Sequence, residues 1–359
     1  MDSRSNVNDF IRDFVGVKHK ISDMENLKQK WGFVEIWNNS LLEKNDRELT
    51  VRDKLWASEL GKAPIDLWLK MRAIKPTNPP NARSLRKFEA GNVFEWIVSL
   101  ILKRAGILRE GQRWNSYQYP NCLPVSGKLD FIAGGKPDYE KWKSEMNNLE
   151  LPDVFLRAGE KIIKYFTENY PMGLDEKPLE IKSVSAFMFD ALERKKRASK
   201  IHKLQTFHYL KAENYPIANI VYICRDDLRM MEFEINNPSE IENEYKKFIE
   251  LLSKYHIANE RPPIEKCIVF DNDIGKFAKN FNVAYSGYLT MLYGFANQKE
   301  FDDKYTPIVS RWNRVLDRVK KQKEMTDKNN LVLTEIKEAG FIIEEILKEY
   351  VENENDIED

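Results

Sequence analysis

The chain has 359 residues, with 57 Lys and Arg against 57 Asp and Glu, so a uniformly basic nucleic-acid coat is excluded while a local basic surface is not. A composition of 42% hydrophobic and 32% charged residues belongs to a folding chain and not a disordered one, and the length allows two or three structural units or one domain with large additions. No stretch supplies the about 18 apolar residues of a membrane helix. The best, Val93 to Leu108, is interrupted by Glu95, Lys103 and Arg104.

The opening MDSRSNVNDF has no apolar signal core, and Cys122, Cys224 and Cys267 are too far apart for a disulfide framework or a zinc site. A reducing, cytoplasmic setting without membrane partners is expected.

In chain order, residues 1–80 read as helical, with apolar positions from Leu55 to Leu69 and a break at Gly61 to Pro64. KPTNPPN (residues 75–81) is a loop. Arg83 to Gly106 is a strong helix, because Leu85, Phe88, Phe94, Ile97, Val98, Ile101 and Leu102 recur at spacings of three and four before a glycine stop. Tyr117 to Tyr119 and Val125 to Ala133 read as strands, residues 139–170 as helix, and Leu179 to Val184 as a short strand. Ala198 to Glu213 is a helix, followed by a hairpin of Ile220 to Cys224 and Met230 to Ile235. From Ser239 the pattern is helical, with an irregular section from Pro262 to Asn272. The acidic end, 346–359, is expected to be disordered.

The chemistry concentrates in the middle. Alternation over Val125 to Ile132 puts Ser126, Lys128 and Asp130 on one face of a strand. A buried acid there costs several kcal/mol unless it is paired. The same rule puts Glu180 and Lys182 on one face of the next strand. Two carboxylates and an ammonium on adjacent strands make the polar cluster that a hard divalent cation and its water require. The alternative for Glu-x-Lys is a surface ion pair.

Glu95 stands in an apolar helix between the small residues Gly91 and Ser99, leaving space for another element or a metal. Its alternative is a solvent-edge acid paired to Lys or Arg. Gln205 and Tyr209 share one helical face and can hydrogen-bond to a water or a phosphate, or simply tip a packed helix. His202 and His208 read as surface residues on a basic helix. Trp114, Tyr117 and Tyr119 could stack on bases or belong to the core.

Four motifs in order, Gly91-Asn92-Val93-Phe94-Glu95, Gly127-Lys128-Leu129-Asp130, Glu180-Ile181-Lys182 and Gln205-Thr206-Phe207-His208-Tyr209, resemble those of the PD-(D/E)xK nuclease superfamily, closest to its RecB/Cas4-like exonuclease group. They span residues 85 to 235. The resemblance implies an α/β (α+β), restriction-endonuclease-like core of mixed β-sheet flanked by helices. It also implies Mg²⁺- or Mn²⁺-dependent phosphodiester hydrolysis.

It departs from the group in two respects. The cysteines that hold an iron–sulfur cluster in many of its members are missing, so no iron–sulfur cluster is expected. The long link from Asp130 to Glu180 reads as a helical insertion, at about 136–178, in a core of 81–238, which is followed by a helical region at 239–345.

On this resemblance Glu95, Asp130, Glu180 and the main-chain carbonyl of Ile181 bind metal, while Lys182, Gln205 and Tyr209 complete the catalytic set with Asp130 and Glu180. Arg83, Arg86, Arg194, Lys195, Lys196, Arg197, Lys200 and Lys203 are candidates to hold the phosphate backbone. The expected function is a DNA exonuclease acting on ends or single strands, in replication, recombination, repair or phage DNA metabolism. Two alternatives are an RNA endonuclease on the same fold and a non-catalytic member. Either way, a helicase or other protein partner could dock through the helical flanks.

Overall fold

The computed structural model describes residues 32–45, 48–148, 153–236, 239–272, 274–321 and 325–346. The acidic end beyond residue 346 and the first part of the expected N-terminal helical region lie outside these residues. By contacts, the chain divides into the units Met1–Asn45 and Asp46–Asp359. The described part of the first is one helix, α1 (Phe33–Asn45).

The second unit begins with β1 (Leu55–Trp56), a short 3₁₀ turn (Ala57–Glu59) and α2 (Pro64–Met71), where helix on both sides of a break at Gly61 to Pro64 was expected. Proline at the first turn of α2 is compatible with helix because its missing N–H would be unpaired there in any case. The long helix α3 (Ala82–Arg104) starts where Asn81 accepts a hydrogen bond from Ser84 N at 3.0 Å, and stops at Gly106, whose φ of +70° is left-handed.

Next come β2 (Leu108–Glu110), β3 (Arg113–Tyr117), β4 (Val125–Leu129), β5 (Phe131–Gly135), α4 (Tyr139–Asn147), α5 (Asp153–Asn169) and β6 (Leu174–Val184). They are followed by α6 (Ala186–Lys195), α7 (Lys200–Glu213), β7 (Ala218–Cys224), β8 (Met230–Ile235) and α8 (Ser239–Ile257). The chain then forms β9 (Ile268–Asp271), β10 (Lys276–Lys279), α9 (Phe281–Ala284), α10 (Leu289–Tyr293), α11 (Gln298–Lys320) and α12 (Asp327–Glu338). Among the described residues, no helix is long and apolar enough to cross a membrane.

A five-stranded mixed sheet of order β2-β5-β6-β7-β8 is central: β6 and β7 are parallel and every other pairing is antiparallel. On one face Leu179, Ile181 and Phe131 bury against Val98 and Leu102 of α3, with Ile162 and Phe166 of α5 alongside. On the other, Ile132, Val184, Ile220 and Tyr222 pack with Leu204 and Phe207 of α7 and Ile249 of α8. This is the expected architecture of a mixed sheet flanked by helices on both faces.

A second sheet, β1-β4-β3, adjoins it, with β1 parallel and β3 antiparallel to β4. Leu55, Leu60, Leu67 and Met71 enter the same core as β6 and α7. The segment 55–71 is therefore part of the sandwich. Its strand pairing with β4 comes from a partner about 70 residues away, which local periodicity cannot report.

The stretch Val125 to Ile132, expected as one strand, is two strands in two sheets with Asp130 at the break. Both halves are apolar enough to be strands, so alternation runs through the break unmarked. β6 is longer than expected, reaching back to Leu174 because Lys177 and Pro178 pair with Ala133 and Ile132. The helices α4 and α5 pack through Trp142, Met146 and Ile163, and Gly106 at the end of α3 rests against Ile163. The section expected to be irregular near residues 262–272 ends in the antiparallel pair β9–β10, which builds a separate core with α11 and α12 around Phe277, Trp312, Leu316 and Ile336.

Candidate active site

Asp130 occupies the turn between β4 and β5, where Phe131 pairs with Leu179 and the next step of the antiparallel register brings Asp130 alongside Glu180. Ile181 N donates to Asp130 Oδ2 at 2.8 Å. The strand that presents Glu180 therefore also holds Asp130 in place. On β6, Glu180 and Lys182 share a face as expected, and the Lys182 ammonium pairs with Glu180 Oε1. Glu180 is only 1% exposed, and its other oxygen, Oε2, is buried without a hydrogen-bond partner.

The third acid arrives on α3. Gly91 faces β6, since a methyl group placed on it would lie 3.6 Å from Ser183 Oγ, so the small residue one turn before Glu95 does permit close approach. Glu95 is half-buried and accepts from Gln112 Nε2 at 2.9 Å, where a solvent-edge acid would sit in an ion pair.

The three acids perturb one another. Burial first, and then the Asp130 charge, pushes Glu95 up to about 7. The same two causes in the same order push Glu180 up to about 8. Burial raises Asp130 as well, against the opposing pull of Lys182 and of the Ile181 N–H. For Lys182 burial is the largest single influence and lowers it. Glu180, Asp130 and Glu95 together outweigh that and leave it raised, hence charged.

Three acids and one ammonium thus form a single electrostatic cluster. Among the described residues no group of three or more His, Cys, Asp or Glu side chains stands as a ready-made metal cage. Within this cluster Glu180 Oε2 has no hydrogen-bond partner.

Gln205 and Tyr209 share a face and bond each other, Gln205 Nε2 donating to Tyr209 OH at 3.1 Å. Tyr209 OH in turn donates to Lys128 O at 3.0 Å, two residues before Asp130. The phenol's only proton is spent on the backbone that carries Asp130, and burial pushes the phenol's pKa up, so it stays protonated. Gly127 makes this possible: a Cβ there would come within 2.7 Å of the Tyr209 ring and 2.8 Å of Ala57 Cβ.

The basic candidates stand apart from this cluster. Arg83, Arg194, Lys195, Lys196, Arg197 and Lys200 are exposed, and Arg86 and Lys203 are half-exposed. Lys200 pairs with Glu244 of α8 at 3.0 Å. The leading cations acting on Glu95 and Asp130 are Lys182 and Lys128.

Three residues were missed. Lys128 lies inside a quoted motif, on the strand face of Asp130, but carries no role in the site read from the sequence. Lys62, in the loop after the 3₁₀ turn, is lowered by burial and then by Lys70, with Lys182 among its further influences. Gln112 reaches Glu95 through a turn that carries no motif.

The histidines differ from the surface reading. His208 is fully buried between Tyr245 OH (2.8 Å) and Asn115 Oδ1 (3.0 Å), and His202 Nδ1 meets Tyr222 OH at 2.8 Å. Burial holds both imidazoles down, to about 3. They are neutral components of the packing because α7 is sandwiched between the sheet and α8.

No family model matches the chain, and no curated protein does. Among solved structures it is similar to SSO0001, at 14% identity and a TM-score of 0.42 over 74% of this chain and 98% of that one. It is also similar to LHK-Exo in complex with dAMP, at 13% identity and a TM-score of 0.32 over 63% and 95%. A second structure of this alkaline exonuclease, from Laribacter hongkongensis, gives 12% identity and a TM-score of 0.27 over the same shares.

Proposed function

We propose that this chain is a metal-dependent nuclease that hydrolyses DNA phosphodiester bonds, as an exonuclease on ends or single strands in recombination, repair, replication or phage DNA metabolism. The observation that carries the reading is Glu180. Its carboxylate is buried, repelled by Asp130 and Glu95, and has an oxygen with no partner. Unsatisfied buried carboxylate oxygen is costly, and a cation is the partner that best offsets it.

The residues fit a hard divalent ion. Glu95, Asp130, Glu180 and the carbonyl of Ile181 offer only oxygen, and they would hold Mg²⁺ or Mn²⁺. When bound, such an ion supplies charge neutralisation at the scissile phosphate and a water of lowered pKa.

The protein's own groups do the rest. The Lys182 ammonium orients the attacking water and offsets negative charge that develops on the phosphate. Glu180 Oε1 aims that ammonium. Tyr209 and Gln205 fix the β4 backbone next to Asp130, and Gln112 steadies Glu95. Exposed arginines and lysines at residues 194–200 serve the phosphate backbone in a salt-sensitive, sequence-independent way.

The test is cleavage of end-labelled DNA with Mg²⁺ or Mn²⁺ by wild type, Asp130→Ala and Lys182→Ala, with RNA of the same sequence alongside. The reading expects metal-dependent cleavage by wild type and its loss in both variants. Equal activity in all three proteins removes it, and cleavage confined to RNA replaces the substrate.

A further inference from the structure

The outer face of the β1-β4-β3 sheet carries a feature that the acid cluster does not use. Trp56 pairs in register with Ser126, and Trp114 with Lys128, so both rings stand on the β4 face that carries Ser126 and Lys128. Their centroids are 5.2 Å apart at 48°. Trp114 is 63% exposed, a large aromatic surface to leave in water. Around it, Lys54 Nζ lies 5.0 Å from the Trp56 ring centroid and Lys128 is exposed. Arg52 also flanks Trp56 at 5.6 Å but is tied to Glu59 at 2.6 Å, leaving Lys54 and Lys128 as the cations beside the rings. Tyr117 and Tyr119, the other aromatic candidates of this segment, pack against the core and are not part of the platform.

We propose that Trp56 and Trp114 form a stacking platform for bases of single-stranded nucleic acid, with Lys54 and Lys128 holding the adjoining phosphates. The inference rests on the nuclease reading and deepens it by naming the substrate's state. An indole face offers dispersion and π contact to any base whose own face is exposed, while the bases of an intact duplex are already stacked. The flanking ammonium groups match a phosphate backbone and would oppose a basic peptide.

Position agrees with this occupant. Lys128 precedes Asp130 by two residues, roughly 7 Å along an extended chain. A stacked strand advances about 3.4 Å per nucleotide, so a base on Trp114 lies about two nucleotides from a phosphate at the acid cluster. Lys128 is also, after Lys182, a cation whose field reaches Glu95 and Asp130. It therefore joins the platform to the site of cleavage.

The experiment measures binding, without added metal and in chelator, of a labelled single strand of about 16 nucleotides and of a blunt duplex, by wild type, Trp114→Ala, Trp114→Phe and Lys54→Ala. Trp114→Ala should weaken single-strand binding about 5- to 150-fold without changing its salt dependence. Trp114→Phe should retain most of the affinity, and duplex binding should be unchanged by both. Lys54→Ala should reduce the slope of log affinity against log salt by about 1.

Single-strand binding by Trp114→Ala equal to wild type would overturn the proposal. So would absence of single-strand binding by wild type, or equal losses on strand and duplex. Because binding is measured without metal and apart from the cleavage assay, the two claims separate. Loss of binding in Trp114→Ala from a protein that does not cut keeps the platform and removes the nuclease. Metal-dependent cutting with Trp114→Ala binding intact does the reverse.

Discussion

Asp66 and Glu180 are both buried carboxylates in the same structural unit, yet their oxygens are used differently. Asp66, on α2, accepts from Ser286 Oγ at 2.8 Å with one oxygen and from Gly287 N at 3.2 Å with the other. It fastens the segment before α10 to α2, where Tyr288 OH also donates to Ile74 O. Burial raises its proton affinity, and the two donors act against that. Glu180 is buried still more deeply and has Asp130 and Glu95 adding repulsion, with Lys182 occupying one oxygen and nothing on the other. A carboxylate kept for stability has its lone pairs filled by the fold. One kept for chemistry has a lone pair left over, at a cost the rest of the core must offset.

The contrast breaks most visibly under paired isosteric substitutions. Glu180→Gln removes a repelled charge, so the metal-free protein should melt no lower than wild type while cleavage falls at least about 100-fold. A fall in melting temperature with cleavage retained would reverse the assignment. Asp66→Asn should do the opposite. It turns an NH₂ toward a donor that needs an acceptor and costs about 1–3 kcal/mol of stability, read by denaturant unfolding, with cleavage per folded molecule unchanged.

A gentler effect is a slope in pH. Carboxyls raised to about 7 (Glu95) and about 8 (Glu180) bind protons in the folded state that the unfolded chain has already released. Metal-free stability should therefore fall as pH rises from about 4.5, the ordinary glutamate value, through 7 to 8. Adding Mn²⁺, which competes with those protons, should flatten the decline. A melting temperature that drops with pH equally with and without the ion would disagree. The smallest expected effect is Gln112→Ala. It removes one neutral hydrogen bond to Glu95, and cleavage should drop by no more than about tenfold.

Part of this site could be read from the chain. Period-two alternation put Glu180 and Lys182 on one face, and the gap left by Gly91 is where α3 meets Ser183. Helical spacing put Gln205 and Tyr209 together. What could not be read depends on distant pairing. The strand through Asp130 breaks between two sheets because β5 pairs with β6, while β4 is claimed by β1 and β3. Nothing in Leu129-Asp130-Phe131 records that choice. The bond from Tyr209 to the Lys128 carbonyl spans 81 positions, and Trp56 meets Trp114 only because both flank β4. His208 looked like a surface residue because its neighbours along α7 include lysines, but Tyr245 and Asn115 from other elements enclose it.

The central claim is that the orphaned oxygen of Glu180 belongs to a cation site. Calorimetric titration of Mn²⁺ into wild type and Glu180→Gln, both shown to be folded, tests it most directly. Saturable binding to wild type that is lost in the variant is the predicted result. Identical isotherms for the two proteins, or no binding by wild type, would contradict it.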